Sequence, residues 1–308
     1  MKHQKTLYIL LTLLTTFAGQ AVDGVVEINQ TCATQLGCFS GDTSGFPLTI
    51  DGSSGSSFRL TSNLLIPDKD TVAIRINSNN INIDFNGFSI IRSSCFGKQC
   101  SVDVGSGKGL TSGNVVSNIN IKNGSIIGMG STGISFGFVR SSITVENMQI
   151  SYNGGNGIYV QGGSIVKNNL INNNNSDGVD AGLNSNIIGN IIHDNAKGIH
   201  AISSIVQSNN VYSNSLDGIH CFSACNIKGN HVYNNSGDGV EIRISNFSTQ
   251  GSLVQGNTIA GNAEYGIRFS NSRSAYQGNV ITNNFSGTVT SNGFNLGNNY
   301  CTSNDVCP

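Results

Sequence analysis

Seven positions in this chain directly follow a Gly-[Ile/Val] pair, and six of them carry side chains able to move a proton or meet a charge. They are Ser135, Tyr159, Asp180, His200, His220, Glu241 and Arg268. Charged residues make up only 11% of the chain, so this concentration is out of proportion to the composition. Abstraction of the proton beside a sugar carboxylate needs a cation, a base and an acid. Arg268 fits the first role, His200 or His220 the second and Tyr159 the third, with Asp180 and Glu241 as substrate-binding groups. A glycoside hydrolase would pair Asp180 with Glu241. Three coil steps separate those two, roughly 14 Å at parallel-strand spacing, which is too far for either hydrolytic geometry. The same column also admits a non-catalytic reading, as a glycan-binding face or a solvated charge ladder.

A second set follows the apolar residue of an Asn-x-[Ile/Val/Leu] unit. Here His193, Tyr212 and Tyr233 fall at equivalent places, as a stacking platform for sugar rings or as aromatic packing between coils. The pairs Asp177-Gly178, Asp217-Gly218 and Asp238-Gly239 read as turns. Calcium is the alternative there, although the G-G-x-G-x-D-x nonapeptide is absent. No metal or other cofactor is expected from the remaining pattern.

Both sets depend on a repeat. The glycines of the Gly-[Ile/Val] pairs stand at 133, 157, 178, 198, 218, 239 and 266, in steps of 24, 21, 20, 20, 21 and 27 residues. Asparagines 169, 190, 209, 230, 257 and 279 keep step with them, as do 153, 174, 195, 214, 235, 262 and 284. Between the markers lie short apolar segments of period two. No run is long enough for an amphipathic helix, so helical repeat arrays are excluded. A coil of three short strands fits, with Ile and Val inside and asparagine at the turns. A column of identical amides then satisfies itself along the axis. Residues flanking an inward apolar position point outward, which aligns Tyr159 through Arg268 on one outer face.

The repeated N-x-[IV]-x-x-N … G-[IV] unit, together with Ile83-Asp84-Phe85-Asn86-Gly87-Phe88-Ser89-Ile90 as an opening coil, resembles the pectin-lyase-like superfamily of right-handed parallel β-helices. The resemblance covers roughly residues 58 to 290. It implies an all-β, right-handed parallel β-helix, a single-stranded solenoid. Members of that superfamily include polysaccharide lyases, hydrolases and epimerases as well as adhesins and phage spikes, so the fold alone assigns no reaction. The Asp-Pro-His signature of its mannuronan epimerases is absent.

Composition bounds the rest. Lys2 and Lys5, the apolar run Leu7 to Phe17, and small residues Gly19 and Ala21 form a bacterial-type signal peptide over residues 1–21. The mature chain is expected to be secreted or periplasmic, with no membrane insertion. A net charge of −1 and the lack of a basic stripe argue against nucleic acid as a partner. The eight cysteines form four near neighbours: Cys32/Cys38, Cys95/Cys100, Cys221/Cys225 and Cys301/Cys307. In an oxidising compartment these favour four local bridges. Each would close a small loop and mainly pin a turn. Residues 22–57 read as an N-terminal cap, 58–290 as the helix and 291–308 as a disulfide-pinned tail. The sequence therefore points to a protein that binds a polysaccharide or cell-surface glycan along one outer sheet face, and leaves open whether it also processes that glycan in lyase or epimerase fashion. The alternative is a structural or adhesive solenoid without chemistry.

Overall fold

Strands of three or four residues, each with one or two β-branched or aliphatic side chains turned inward, account for most of the molecule. The computed structural model describes residues 24–302 and 307, apart from 53, 138, 244–249 and 271–272. The expected leader lies outside the described residues. A representative coil contains Ile158–Val160, Ile165–Lys167 and Leu170–Asn172. Each strand pairs in parallel with its equivalent one coil on, as Ile158 does with Val179, Ile165 with Asn186 and Leu170 with Ile191. The first strand of every coil joins an eleven-stranded sheet, and the other two join a twenty-one-stranded sheet. Two long strands, Val116–Ile127 and Val139–Ser151, run through the corner of the larger sheet and make its two faces one ladder.

Each corner divides its work between two neighbouring residues. One adopts a left-handed conformation: Asn168, Gly189, Ser208, Gly229, Gly256 and Gly278 within the large sheet, and Asn173, Asp194, Ser213, Asn234, Gly261 and Asn283 on leaving it. The next residue points inward and is an asparagine in both columns. The αL residues are thus the bend, while the repeating asparagines expected to make the turns are buried amides just after it. Asn190 shows the pattern. Its Nδ2 donates to Asn209 Oδ1 at 2.9 Å and to the Val166 carbonyl at 2.9 Å, and its backbone N–H donates to the same Asn209 Oδ1. Such buried amides are satisfied by the coils above and below, so burial carries little desolvation penalty. A third inward column, not anticipated from the sequence, is built of Ser164, Ser185, Ser204, Ser252 and Ser274, with Cys225 in the same row. There backbone N–H groups donate to the serine Oγ of the following coil.

Between these polar ladders the interior is apolar. Val160, Ala181, Ala201, Cys221, Ile242 and Phe269 fill one wall of it and are buried. Pairing extends into both terminal segments: Val26–Ile28 lies on Ser57–Leu60, and Tyr300–Cys301 lies on Val280–Thr282. The excursion around Cys95–Cys100 is pinned by buried Arg92, which donates to Asp103 and to the Ser101 carbonyl. The longest repeat step, from Gly239 to Gly266, includes residues 244–249, which lie outside the described residues.

All four expected disulfides form: Cys32–Cys38, Cys95–Cys100, Cys221–Cys225 and Cys301–Cys307. The expectation that they mainly pin turns needs correcting at Cys38 and Cys307. Both are half-buried and pack against the hydrophobic core, in the N- and C-terminal regions respectively. Their sulfurs therefore add apolar cover where the stack of coils runs out, as well as closing small loops. Backbone bonds fix each in place: the Cys38 N–H donates to Asp42 Oδ2 at 2.8 Å, and the Cys307 carbonyl accepts from Asn295 Nδ2 at 3.1 Å. Cys221–Cys225 departs further from a surface clip, since both of its cysteines are buried inside the helix.

Candidate functional site on the eleven-stranded sheet

The glycine before each inward Ile or Val sets the position of the outward column. A Cβ on Gly198 would stand 2.3 Å from Val211 Cγ1 and 2.5 Å from the Gly218 carbonyl oxygen, so only glycine lets the turn close onto the core. With the turns held alike, successive coils stay in register. Tyr159 pairs with Asp180, Asp180 with His200, His200 with His220, His220 with Glu241 and Glu241 with Arg268. Ser135 continues the column toward Thr111 and Arg75. The irregular early coils hid that continuation from the sequence.

A second row runs beside it, made of the residues immediately before the glycines: Asn156, Asp177, Lys197, Asp217, Asp238 and Tyr265. Its register is fixed by glycine N–H donors, as Gly178 donates to the Lys197 carbonyl at 2.9 Å and Gly198 to the Asp217 carbonyl at 3.1 Å. The aspartates also tie turn to turn. Asp217 Oδ1 accepts the Asp238 N–H at 3.0 Å, and Asp238 Oδ1 accepts the Tyr265 N–H at 2.9 Å. The Asp-Gly pairs, read from the sequence as turns or as calcium ligands, therefore also form part of a second row of this face. The eight cysteines, Cys38 and Cys307 among them, are all bridged and bring no free thiol to either row.

The two rows pair into distinct clusters. His200 Nδ1 lies 2.9 Å from Asp180 Oδ1, and both side chains are about a quarter exposed (25% and 24%). Asp177 belongs with them, one ligand-type atom of each residue lying within 4.8 Å of the others. His220 Nδ1 lies 2.9 Å from Glu241 Oε2 and 3.4 Å from Asp217 Oδ2. Its side chain and that of Glu241 are each only 7% exposed, so these two outward residues are covered by their neighbours. The His200 and His220 rings meet edge to face, 5.3 Å between centroids. Arg243 Nε holds the other Glu241 oxygen at 2.8 Å. Arg268 is bound by Asp238 and Glu264 and lies over the Tyr265 ring. Its charge is already matched. Tyr159 stands one coil beyond Asp180, its hydroxyl accepting from Gln161 Nε2 at 2.8 Å.

These surroundings separate the titrating groups. Burial opposes the charge on His220, but hydrogen bonds to Asp217 and Glu241 prevail and hold the imidazolium above the ordinary histidine range. Burial likewise opposes Glu241, yet its bonds to His220 and Arg243 lower it to about 2. Asp177 is raised by burial against the opposing pull of Lys197, and Asp238 is raised by burial despite Arg268.

His193, Tyr212 and Tyr233 lie on the larger sheet, around a corner from His200, and are in register with one another. Their rings stack face to face, His193 on Tyr212 at 4.7 Å and Tyr212 on Tyr233 at 4.9 Å, with His231 stacked on Tyr233 at 4.4 Å. Faces committed to each other leave mainly ring edges toward solvent, which suits packing between coils better than a sugar platform. An open recess of about 480 Å³ lies elsewhere on that sheet, lined by Ser125, Asn147, Gln149, Asn168 and Leu170 among others, with no titratable side chain.

Residues 133–249 match the family model described as a right handed beta helix region. The chain is a right-handed parallel β-helix. Among solved structures, this β-helix resembles the mannuronan C-5 epimerase AlgE4 A-module of Azotobacter vinelandii. The identity is 12% and the TM-score 0.60, covering 91% of this chain and 87% of that one. It also resembles a double mutant of the periplasmic alginate epimerase AlgG, at 15% identity and a TM-score of 0.55, over 91% and 84% of the two chains. At such identities the likeness is one of fold. No curated protein sequence matches this β-helix significantly. Among the described residues, no helix is long and apolar enough to cross a membrane, and four disulfides are consistent with an oxidising, extracytoplasmic compartment.

Proposed function

We propose that this β-helix binds a polysaccharide along its eleven-stranded sheet and exchanges a proton with it at the Asp177–Asp180–His200 cluster, in the manner of a lyase or epimerase. The observation that carries the reading is that cluster's geometry: two carboxyls and an imidazole within 4.8 Å of one another on an outward, accessible face. Asp180 accepts from His200 Nδ1–H, which places the proton on Nδ1 and leaves Nε2 as the base. Asp177, raised by burial, is the nearer proton donor, since Tyr159 stands a further coil away. His220 is suited to a different part. Its Nδ1 is shared between two carboxylates, so it holds Glu241 and the strand in place rather than taking a proton from substrate.

The polysaccharide-processing neighbours support a glycan as the partner, and a face that runs along eleven stacked strands suits an extended chain lying along the axis. A glycan array read beside isothermal titration tests the proposal. Wild-type protein is expected to bind at least one polysaccharide class, and His200→Ala with Asp177→Asn to abolish turnover while leaving the fold intact by circular dichroism. Silence of the wild type across the array, in both binding and product formation, would leave the structural solenoid as the better account.

A further inference from the structure

The recess on the larger sheet owes its shape to one turn. Between Asp84, which pairs with Lys122, and Ser89, which pairs with Ser125, the chain has four residues where the following coil has two. The longer turn is pressed onto Gly124, where a Cβ would stand 2.2 Å from Phe85 Cβ and 2.4 Å from the Phe88 carbonyl oxygen. Phe85 is buried, Asn86 and Gly87 are left exposed, and Gly87 lines the recess. The corners of the coils that follow bring Asn147 and Asn168 to it, both in the left-handed conformation. Bending alone does not call for an amide there, since Gly229, Gly256 and Gly278 make the same corner further along. Two residues on from each asparagine, Gln149 and Leu170 pair in register and complete the lining.

The fold leaves hydrogen-bonding capacity unused in this recess. Asn147 Nδ2 donates to Asn123 Oδ1 at 3.4 Å and Asn123 Nδ2 to Asp84 Oδ1 at 3.2 Å, a short outer row of amides that stops at Asn147. Among the described residues, the side chains of Asn168 and Gln149 form no hydrogen bond, and both are exposed. The charges on the adjoining strands are matched to each other, Lys167 with Glu146 at 2.7 Å and Lys122 with Asp84 at 4.0 Å. A volume of about 480 Å³ falls within the roughly 300–1,000 Å³ of small-molecule sites. Each carboxamide offers both donors and an acceptor, which matches sugar hydroxyls, and Leu170 matches the C–H face of a sugar ring.

We infer that this recess is a second glycan-binding site, which takes an uncharged sugar residue and does no chemistry on it. The inference does not rest on proton exchange at His200, because the recess lies on the other sheet and uses none of the residues there. The sugar ring lies over Leu170, and its hydroxyls exchange hydrogen bonds with Asn147, Gln149 and Asn168. A charged sugar would meet no counter-charge in the lining and would lose solvation without return. With an open mouth and few direct bonds, the affinity is modest, on the order of 1 mM. Such a site anchors the protein to a neutral polymer.

The test is a titration of isotope-labelled protein followed by its side-chain amide signals in nuclear magnetic resonance. The probes are tetramers of glucose, mannose, xylose and galactose, with tetragalacturonate as the charged comparison. At least one neutral tetramer is expected to shift the amide signals of Gln149 and Asn168, and tetragalacturonate to leave them in place. Asn168→Gly keeps the bend, as Gly229 does, and Gln149→Ala alters an exposed side chain. Together they should weaken the binding roughly tenfold or more, the scale of two neutral hydrogen bonds, with the circular dichroism of the wild type. Gln149→Glu, which adds a charge and leaves the corner intact, should weaken it as well. If no neutral tetramer moves those signals, if tetragalacturonate moves them equally, or if the variants bind as the wild type does, the site is overturned. The reading of the eleven-stranded sheet then stands or falls on its own test.

Discussion

At the scale of single residues, the face works by giving similar groups different surroundings. His200 and His220 are adjacent in register, yet one faces a carboxylate on an accessible surface and the other is enclosed by two. The enclosed pair makes stability depend on pH in a definite way. Glu241 is lowered to about 2 from an ordinary 4.5, so its contribution is present above 4.5 and is lost as pH falls toward 2. His220 is raised above its ordinary 6.5, so its contribution is complete below 6.5 and is lost as pH rises through the raised value. The melting temperature should therefore be highest between about pH 4.5 and 6.5 and decline on both sides. His220→Asn should lower the maximum and flatten the alkaline limb. A wild-type profile without an alkaline decline would mean that the imidazolium is not held as described.

At the scale of elements, the corners carry the fold. Asn257 Oδ1 accepts from both the backbone and the side chain of Asn230, while its Nδ2 donates to Asn279 Oδ1 and the Ile227 carbonyl. Asn257→Ala leaves several buried groups unsatisfied and is expected to cost about 3 kcal/mol or more in urea denaturation. Thr258→Ala, one residue on and exposed, should stay within about 0.5 kcal/mol. Equal effects at the two positions would contradict the ladder account. These ladders were legible because an inward polar residue must recur with the coil, and asparagine did. The serine ladder was equally periodic but hidden by how common serine is in this chain. The division between a bending residue and a ladder residue could not be read at all, since Asn-Asn pairs such as Asn168-Asn169 and Asn173-Asn174 offer both residues the same chemistry. Cysteine spacing likewise showed which sulfurs pair, but not that Cys38 and Cys307 lean on the core, because burial at the ends of a stack depends on how the flanking segments fold back.

For the whole molecule, the repeat period identified the solenoid, because strand pairing between coils admits only one register once the glycine of each Gly-[Ile/Val] pair must close onto the core. The outward column followed from the alternation of side chains. Partner choice did not. Nothing in the order of residues shows that Arg268 turns to Asp238 and Glu264, or that Tyr212 and Tyr233 close their faces on each other. Those outcomes depend on the second row, which lies in turns that sequence patterns treat as punctuation. Stacked coils hold both rows along one sheet, so Asp177, Asp180 and His200 share one outward face, and on the proposed reading that face is where a polymer would lie. Solvent-proton exchange tests this most directly. Wild-type protein and His200→Ala would each be incubated with uronan oligomers in deuterium oxide, and deuterium at the ring carbon beside the carboxylate followed by mass spectrometry together with the absorbance of unsaturated product. Deuterium incorporation or unsaturation is expected with wild type and neither with His200→Ala. Equal exchange by the two proteins, or none by wild type on a uronan it binds, would contradict the assignment of His200 as the base.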